Sequence, residues 1–297
     1  MISSTSSARA AERAPEVFFL PQGQGQRLCI YRASAGPACL GAVVHVHAFG
    51  EEMNKSRRMC ALQARALAEA GYAVLQIDLA GCGDSSGDSA DATWDDWAAD
   101  VQAACLWLRA EVGKVGNTRE LPLWLWGVRA GCLVALAAAK RLSPPWNLLF
   151  WQAPASGQVL LQQFLRLKAA GNMVDGQAKV VLDGLRQALS AGQNIEVAGY
   201  GVSAALANGL AAATMAPPSP AGRVEWIELS TRAEAALSPV VTQMIETWRA
   251  AGWQAQGRVV SGPAFWQTTE IEDAPALLPV TVAALSDGPR AQAATSP

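Results

Sequence analysis

The residues with the most chemical potential fall in a few short stretches. Gly127-Val128-Arg129-Ala130-Gly131 sets an arginine between two glycines, where an apolar run of strand character passes into an apolar run of helical character. A helix start there offers unpaired N–H groups and the positive end of the dipole. Arg129 beside them makes a site for a carboxylate or phosphate with bidentate geometry. The same guanidinium can instead be neutralised internally, and Glu51, Glu52 and Glu270 are the candidate partners. Both readings stay open at this level. His45 and His47, the only two histidines, are two residues apart and share one face of a strand. His47, nearer the expected pocket, is the candidate proton carrier, and with Arg129 it forms the candidate catalytic set. No Cys/His/Asp cluster accompanies the histidines, so neither a metal nor a cofactor is expected.

Other reactive residue types read as structure. Ser85 and Ser86 sit in a Gly/Asp loop and suit turn hydrogen bonds. Ser203, in Gly201-Val202-Ser203-Ala204-Ala205, resembles a nucleophile turn but has no fitting strand before it and no histidine after it. Cys132 follows Gly131, where the helix dipole could lower its pKa, though burial is the expected fate. The six cysteines have no C-x-x-C spacing and read as reduced, mostly buried thiols. Lys55, Arg57 and Arg58 form either a solvated face or a patch that attracts an acidic partner.

The elements that must position these groups follow from composition and periodicity. In 297 residues, 51% hydrophobic and 16% charged, there is ample core for one large domain or two ordinary ones, and disordered, collagen-like and coiled-coil chains are excluded. A net charge of −2 with no basic stripe argues against nucleic acid. Leu121 to Ala139 imitates a membrane span, but Arg129 at its centre and the bracketing glycines favour strand, turn and buried helix. The N-terminus lacks an apolar signal-peptide core, so a cytoplasmic location is expected.

Strands are predicted over Val17–Leu20, Arg27–Arg32, Leu40–His47, Tyr72–Asp78, Leu121–Trp126, Asn147–Trp151, Val224–Leu229 and Gln254–Val260. Helices are predicted over Lys55–Ala70 (Asn54 as N-cap, Gly71 at the C-terminal end), Thr93 to about Val112, Ala130–Arg141, Leu160–Lys168, Val180–Leu189 and Pro239–Ala250. This alternation means a mostly parallel eight-stranded α/β sheet with helices on both faces. From Pro154 to the Pro217-Pro218-Ser219-Pro220 cluster the pattern is helix and loop with no clear strand, which suggests a helical cap over the carboxyl edge of the sheet. The expected organisation is a disordered segment 1–14, a core in two parts (15–153 and 221–285) around a cap insertion (154–220), and a disordered tail 286–297.

Three segments give the chain a family resemblance. His45-Val46-His47-Ala48-Phe49-Gly50 follows the third strand; Asp78-Leu79-Ala80-Gly81-Cys82-Gly83-Asp84-Ser85-Ser86-Gly87 resembles a D-x-x-G-x-G-x-S-x-G loop; Gly127–Gly131 stands where a G-x-S-x-G nucleophile elbow belongs. Together they resemble the α/β-hydrolase superfamily over roughly residues 16–285. Phe49-Gly50-Glu51-Glu52-Met53-Asn54-Lys55-Ser56-Arg57-Arg58-Met59, Leu125–Gly131 and Phe265-Trp266-Gln267-Thr268-Thr269-Glu270 are similar to the exosortase A system-associated hydrolases of the second type. That resemblance implies a setting in bacterial PEP-CTERM protein sorting and exopolysaccharide loci.

The chain departs from the hydrolase pattern at two of three catalytic roles. Arginine at the elbow has five donors and no acceptor and cannot attack a carbonyl. Where the fold's C-terminal histidine falls, the chain has Pro263-Ala264-Phe265-Trp266. The expectation is a capped pocket for a small anionic or acyl ligand, contacted by Phe49, Gly50, Glu51, Glu52, Ala130, Phe265, Trp266 and Glu270. A binding or accessory role, alone or with a partner hydrolase of the same locus, stands beside the alternative of an ester, thioester or amide hydrolase with a non-standard catalytic set.

Overall fold

The computed structural model describes residues 14–36, 38–114, 121–170 and 178–286. The segments expected to be disordered, apart from Ala14 and Ser286, lie outside the described residues. The strands are β1 (Glu16–Gln22), β2 (Gly25–Arg32), β3 (Gly41–Val46), β4 (Tyr72–Ile77), β5 (Leu123–Val128), β6 (Asn147–Trp151), β7 (Ile195–Val197), β8 (Tyr200–Val202), β9 (Arg223–Ser230) and β10 (Gln254–Ser261). The helices are α1 (Glu51–Glu69), α2 (Trp94–Gly113), α3 (Ala130–Ala139), α4 (Gly157–Ala170), α5 (Ala178–Ser190), α6 (Ala204–Ala212), α7 (Pro239–Ala250) and α8 (Leu277–Ser286).

Eight strands form one sheet in the order β1-β2-β4-β3-β5-β6-β9-β10. β2 runs antiparallel to β1 and β4, and the other pairings are parallel. Parallel strands at the centre need both faces covered, and the sequences comply: every residue of β3 and of β5 is buried. Alternate side chains feed two cores. Val44, Val46, Leu75 and Leu125 pack with α2 and α3; Val43, Val74, Trp124 and Trp126 pack with α1 and α8.

Local side-chain caps fix several helix starts. Thr93 caps α2 in a reciprocal box with Asp96, and Ser238 caps α7 ahead of Pro239. The apolar stretch that imitated a membrane span is β5 followed by α3, buried within the domain. Among the described residues no helix is long and apolar enough to cross a membrane.

The start of α1, the make-up of the insertion and the C-terminal helix differ from the sequence expectation. Helix α1 begins at Glu51, before the expected Asn54 cap, because Gly50 takes φ 58° and turns the chain out of β3 directly into the helix. The insertion between β6 and β9 is not wholly helical: β7 and β8 make a hairpin with Ala198 and Gly199 both at positive φ, and α6 follows it. Three-residue strands and an alanine at the first turn position left no sequence signal. Ser203 is the N-cap of α6; its Oγ accepts from Leu206 N (2.9 Å) and donates to Ala92 O (2.5 Å). Helix α8 was not among the expected helices; Pro279 falls in its first turn, where a missing N–H costs little.

Candidate functional site

The turn between β5 and α3 places the central residue. Arg129 is the N-cap of α3 at φ 53°, ψ −117°, a conformation costly for any residue with a Cβ. Its N–H donates to Trp151 O at 3.0 Å, and its carbonyl accepts from Cys132 N at 3.0 Å. The flanking glycines are steric requirements. A Cβ on Gly127 would lie 2.5 Å from the Cys132 backbone, and one on Gly131 would lie 2.1 Å from Val46 O.

The side chain of Arg129 enters a cavity of about 640 Å³. There it meets Glu52, on the first turn of α1: Nε lies 3.2 Å from both carboxylate oxygens and Nη2 lies 3.0 Å from Oε1. Nη2 also approaches Gln163 Oε1 (3.4 Å), Nη1 approaches Gln152 O (3.5 Å), and the guanidinium lies 5.6 Å from the Trp266 ring centre. The ion pair is largely withdrawn from water, with side-chain exposures of 9% and 20%. Glu52 sits where a helix dipole favours a carboxylate. The internal pair expected as one of two arrangements is present, with Glu52 as the partner.

Around this pair the wall is mixed. Phe49, Leu160, Phe164, Leu167 and Trp266 supply apolar surface; Glu51, Lys55, Gln152, Thr268 and Thr269 supply polar groups. Helix α4 of the insertion covers one side, and Phe164 packs on Phe49 with ring centres 4.7 Å apart. The hairpin reaches the same rim. Tyr200 OH donates to Glu51 Oε2 at 2.6 Å and accepts from Asn54 Nδ2 at 2.9 Å. The Tyr200 bond, ahead of Asn54 and Lys55, holds the Glu51 carboxyl below its ordinary range, while burial, with Glu51 beside it, pushes the Tyr200 phenol up to about 12. Lys55 donates to Thr269 O at 2.6 Å, tying α1 to the loop after β10.

Of the residues proposed from sequence, Phe49, Glu51, Glu52, Arg129 and Trp266 line this cavity. Gly50 adjoins it, with the Phe164 ring 3.3 Å from where a Cβ would stand. Ala130 is not in the wall and is buried. Phe265 is fully buried between Trp151 and Trp266, and Glu270 is exposed outside the wall. Gln152, Gln163, Leu160, Phe164 and Leu167 were missed. The spacing of Leu160, Gln163, Phe164 and Leu167 on one helical face was the available signal.

His47 is not brought into this cavity. Its Nδ1 donates to Ala48 O (2.6 Å) and its Nε2 accepts from Leu79 N (3.1 Å), so both ring nitrogens are committed to backbone. Burial lowers its pKa. His45 and His47 instead line a separate cavity of about 210 Å³ between α1 and the sheet. The loop after β4 is tied to its neighbours: Ser85 Oγ donates to Asp78 O (2.6 Å) and accepts from Leu28 N (2.9 Å), and Arg57 pairs with Asp78 at 3.0 Å. Arg58 pairs with Asp273, so the basic cluster of α1 is engaged within the chain. The six cysteines are free, and burial pushes the Cys132 thiol up rather than letting the helix dipole lower it. Among the described residues no group of three or more His, Cys, Asp or Glu is placed to hold a metal.

The fold is similar to those of several solved structures. An α/β serine hydrolase without lid from Xanthomonas campestris is 16% identical, over 92% of this chain and 93% of its own, with a TM-score of 0.53. A soluble variant of monoglyceride lipase from Saccharomyces cerevisiae, in complex with a substrate analogue, is 13% identical over 93% and 95%, at 0.59. Est1E from Butyrivibrio proteoclasticus is 11% identical over 91% and 97%, at 0.58. The chain has the α/β-hydrolase fold. The family model for serine aminopeptidase, S33, matches residues 38–183 and supports the same superfamily. No curated protein matches significantly. In α/β hydrolases the residue after β5 is the nucleophile, and the next backbone N–H stabilises the oxyanion. In this chain the residues that follow β5 are Arg129 and Ala130.

Proposed function

We propose that this α/β-hydrolase-fold protein binds a small amphipathic ligand, anionic or acyl, and does not carry out Ser–His acyl transfer. The observation that carries the reading is Arg129 at the elbow, closed onto Glu52 at the floor of the 640 Å³ cavity. A guanidinium offers donors and no electron pair for attack. Phe265 and Trp266 follow β10, where the fold's histidine falls. His47 has both nitrogens bonded to backbone, which argues against its serving as a replacement base. Apolar walls with a few convergent polar groups suit a ligand with an apolar body and one polar end. A ligand carboxylate would take the bidentate face of Arg129 in place of Glu52, which keeps the favourable field of its helix terminus.

The resemblance to exosortase A system-associated hydrolases of the second type supports a setting for this role in bacterial protein sorting and exopolysaccharide loci, alone or beside a partner hydrolase of the same locus. The test is a panel of acyl esters, thioesters and amides with the intact chain, Arg129→Ala and His47→Ala, together with titration of medium-chain carboxylates by calorimetry. No turnover is expected, and carboxylate affinity should fall at least about tenfold in Arg129→Met, the loss of one charge-assisted contact of about 1.5 kcal/mol or more. Turnover abolished by either alanine change would overturn the reading in favour of a hydrolase with a non-standard catalytic set.

A further inference from the structure

The polar groups around the Arg129 guanidinium are all acceptors. Glu52 takes Nε and Nη2 within 3.2 Å, Gln163 Oε1 lies 3.4 Å from Nη2, and Gln152 O lies 3.5 Å from Nη1. The Trp266 ring centre, 5.6 Å from the guanidinium, adds an aromatic face. Together they make a socket for one cation. The charged residues described in the cavity wall are Glu51, Glu52, Lys55 and Arg129, and they cancel. The two outside the ion pair are committed elsewhere: Glu51 accepts from Tyr200 OH at 2.6 Å, and Lys55 donates to Thr269 O at 2.6 Å.

A ligand carboxylate that draws Arg129 off Glu52 therefore takes the cation out of this socket. Glu52, its side chain 20% exposed, is left as a partly desolvated anion, and the carbonyl oxygens of Gln152 and Gln163 lose their donor. Stranding such groups is costly, and a monoanion added to a neutral wall leaves one negative charge in excess. A ligand that carries its own cation removes both penalties. Its ammonium takes the place the guanidinium leaves, against the Glu52 carboxylate, the two carbonyl oxygens and the Trp266 face, and the site stays neutral.

Given the carboxylate exchange proposed above, on which this rests, we infer that the ligand of the Arg129 cavity is a zwitterion: an α-amino acid with an apolar side chain. Its carboxylate meets Arg129, its ammonium meets Glu52, and its side chain lies along Phe49, Leu160, Phe164 and Leu167. An α-amino acid carries both charges on one carbon, which suits Arg129 and Glu52, whose charged atoms stand 3.0–3.2 Å apart. An ω-amino acid would set its ammonium among the apolar side chains. The volume of about 640 Å³ is in the range of pockets that enclose a small organic ligand.

Calorimetric titration of the intact chain at neutral pH with octanoate, α-aminooctanoate, α-hydroxyoctanoate and ω-aminooctanoate reads this directly. The α-amino acid should bind at least about tenfold more tightly than its uncharged hydroxy isostere and than the ω-isomer. In Glu52→Gln the preference for amino over hydroxy should vanish, while octanoate, no longer in competition with the Glu52 carboxylate, should bind at least as tightly as to the intact chain. If octanoate binds the intact chain and α-aminooctanoate is no tighter than the hydroxy isostere, the zwitterion is overturned and the carboxylate exchange stands. A preference for the amino acid that persists in Glu52→Gln also overturns it. Binding of neither octanoate nor α-aminooctanoate removes the carboxylate exchange and the zwitterion together.

Discussion

At Arg129 the elbow backbone can be separated from the side chain it carries. Arg129→Ala and Arg129→Gly both delete the Glu52 pair and the Trp266 contact. Those losses are common to the two variants. With Glu52 one-fifth exposed and in the first turn of α1, they amount to about 2 kcal/mol, below the range for a fully buried orphaned charge. The variants differ in what they do at φ 53°, ψ −117°. A residue with a Cβ stores about 1–3 kcal/mol of strain there, which glycine releases. Glycine gives back about 0.4–1 kcal/mol through the freer unfolded chain. Arg129→Gly should therefore be more stable than Arg129→Ala by about 1 kcal/mol, the reverse of the order in an ordinary helix. Urea unfolding followed by tryptophan fluorescence reads this as a midpoint higher by about 0.3 M for a slope near 3 kcal/mol/M. An alanine variant equal to or more stable than the glycine variant would refute the claim that the elbow is strained, and with it the account of how the turn projects this side chain.

Further expectations concern the same contacts. A double-mutant cycle with Glu52→Gln and Arg129→Met should give a coupling of about 1–3 kcal/mol that changes little between 0.05 and 0.5 M salt, because a withdrawn pair is weakly screened. Tyr200→Phe should speed hydrogen exchange in β7 and β8. The wild-type advantage over it should be present above the ordinary Glu pKa and fade as pH falls through the depressed value of Glu51, read by unfolding between pH 6 and 3. His45 is held neutral when folded, down to about pH 3, while the unfolded chain takes up a proton near pH 6.5. Stability should thus fall as pH drops through that window, and fall less steeply in His45→Gln. A thiol reagent at pH 8 should reach at most Cys39 and Cys82 in the folded protein, and all six after unfolding in urea.

Much of the framework was legible from local signals. β6 was read to the residue, and the strand and helix around Arg129 were found because glycines on either side of one charged residue admit only a tight turn. Thr93 with Asp96, and Ser238 with Pro239, announce their helices within four residues. The start of α1 was misread because Asn54 looks like a cap, whereas its amide is used at long range by Tyr200. The hairpin of the insertion and α8 were missed because short strands and an early proline carry almost no periodic signal.

By itself, the sequence determined the doubly covered parallel sheet, the elbow and the residue types on either side of it, since these depend on periodicity and on backbone space between near neighbours. Which acid meets Arg129 depended on tertiary structure. Glu51, Glu52 and Glu270 were equal on paper; the direction of α1 out of the Gly50 turn points Glu52 at the guanidinium, gives Glu51 to Tyr200 and leaves Glu270 in solvent. The separation of the two histidines from that pair was likewise decided by three dimensions. Residues 77 positions apart become neighbours only when strand order and helix packing bring them there, and no local pattern in a chain encodes that distance.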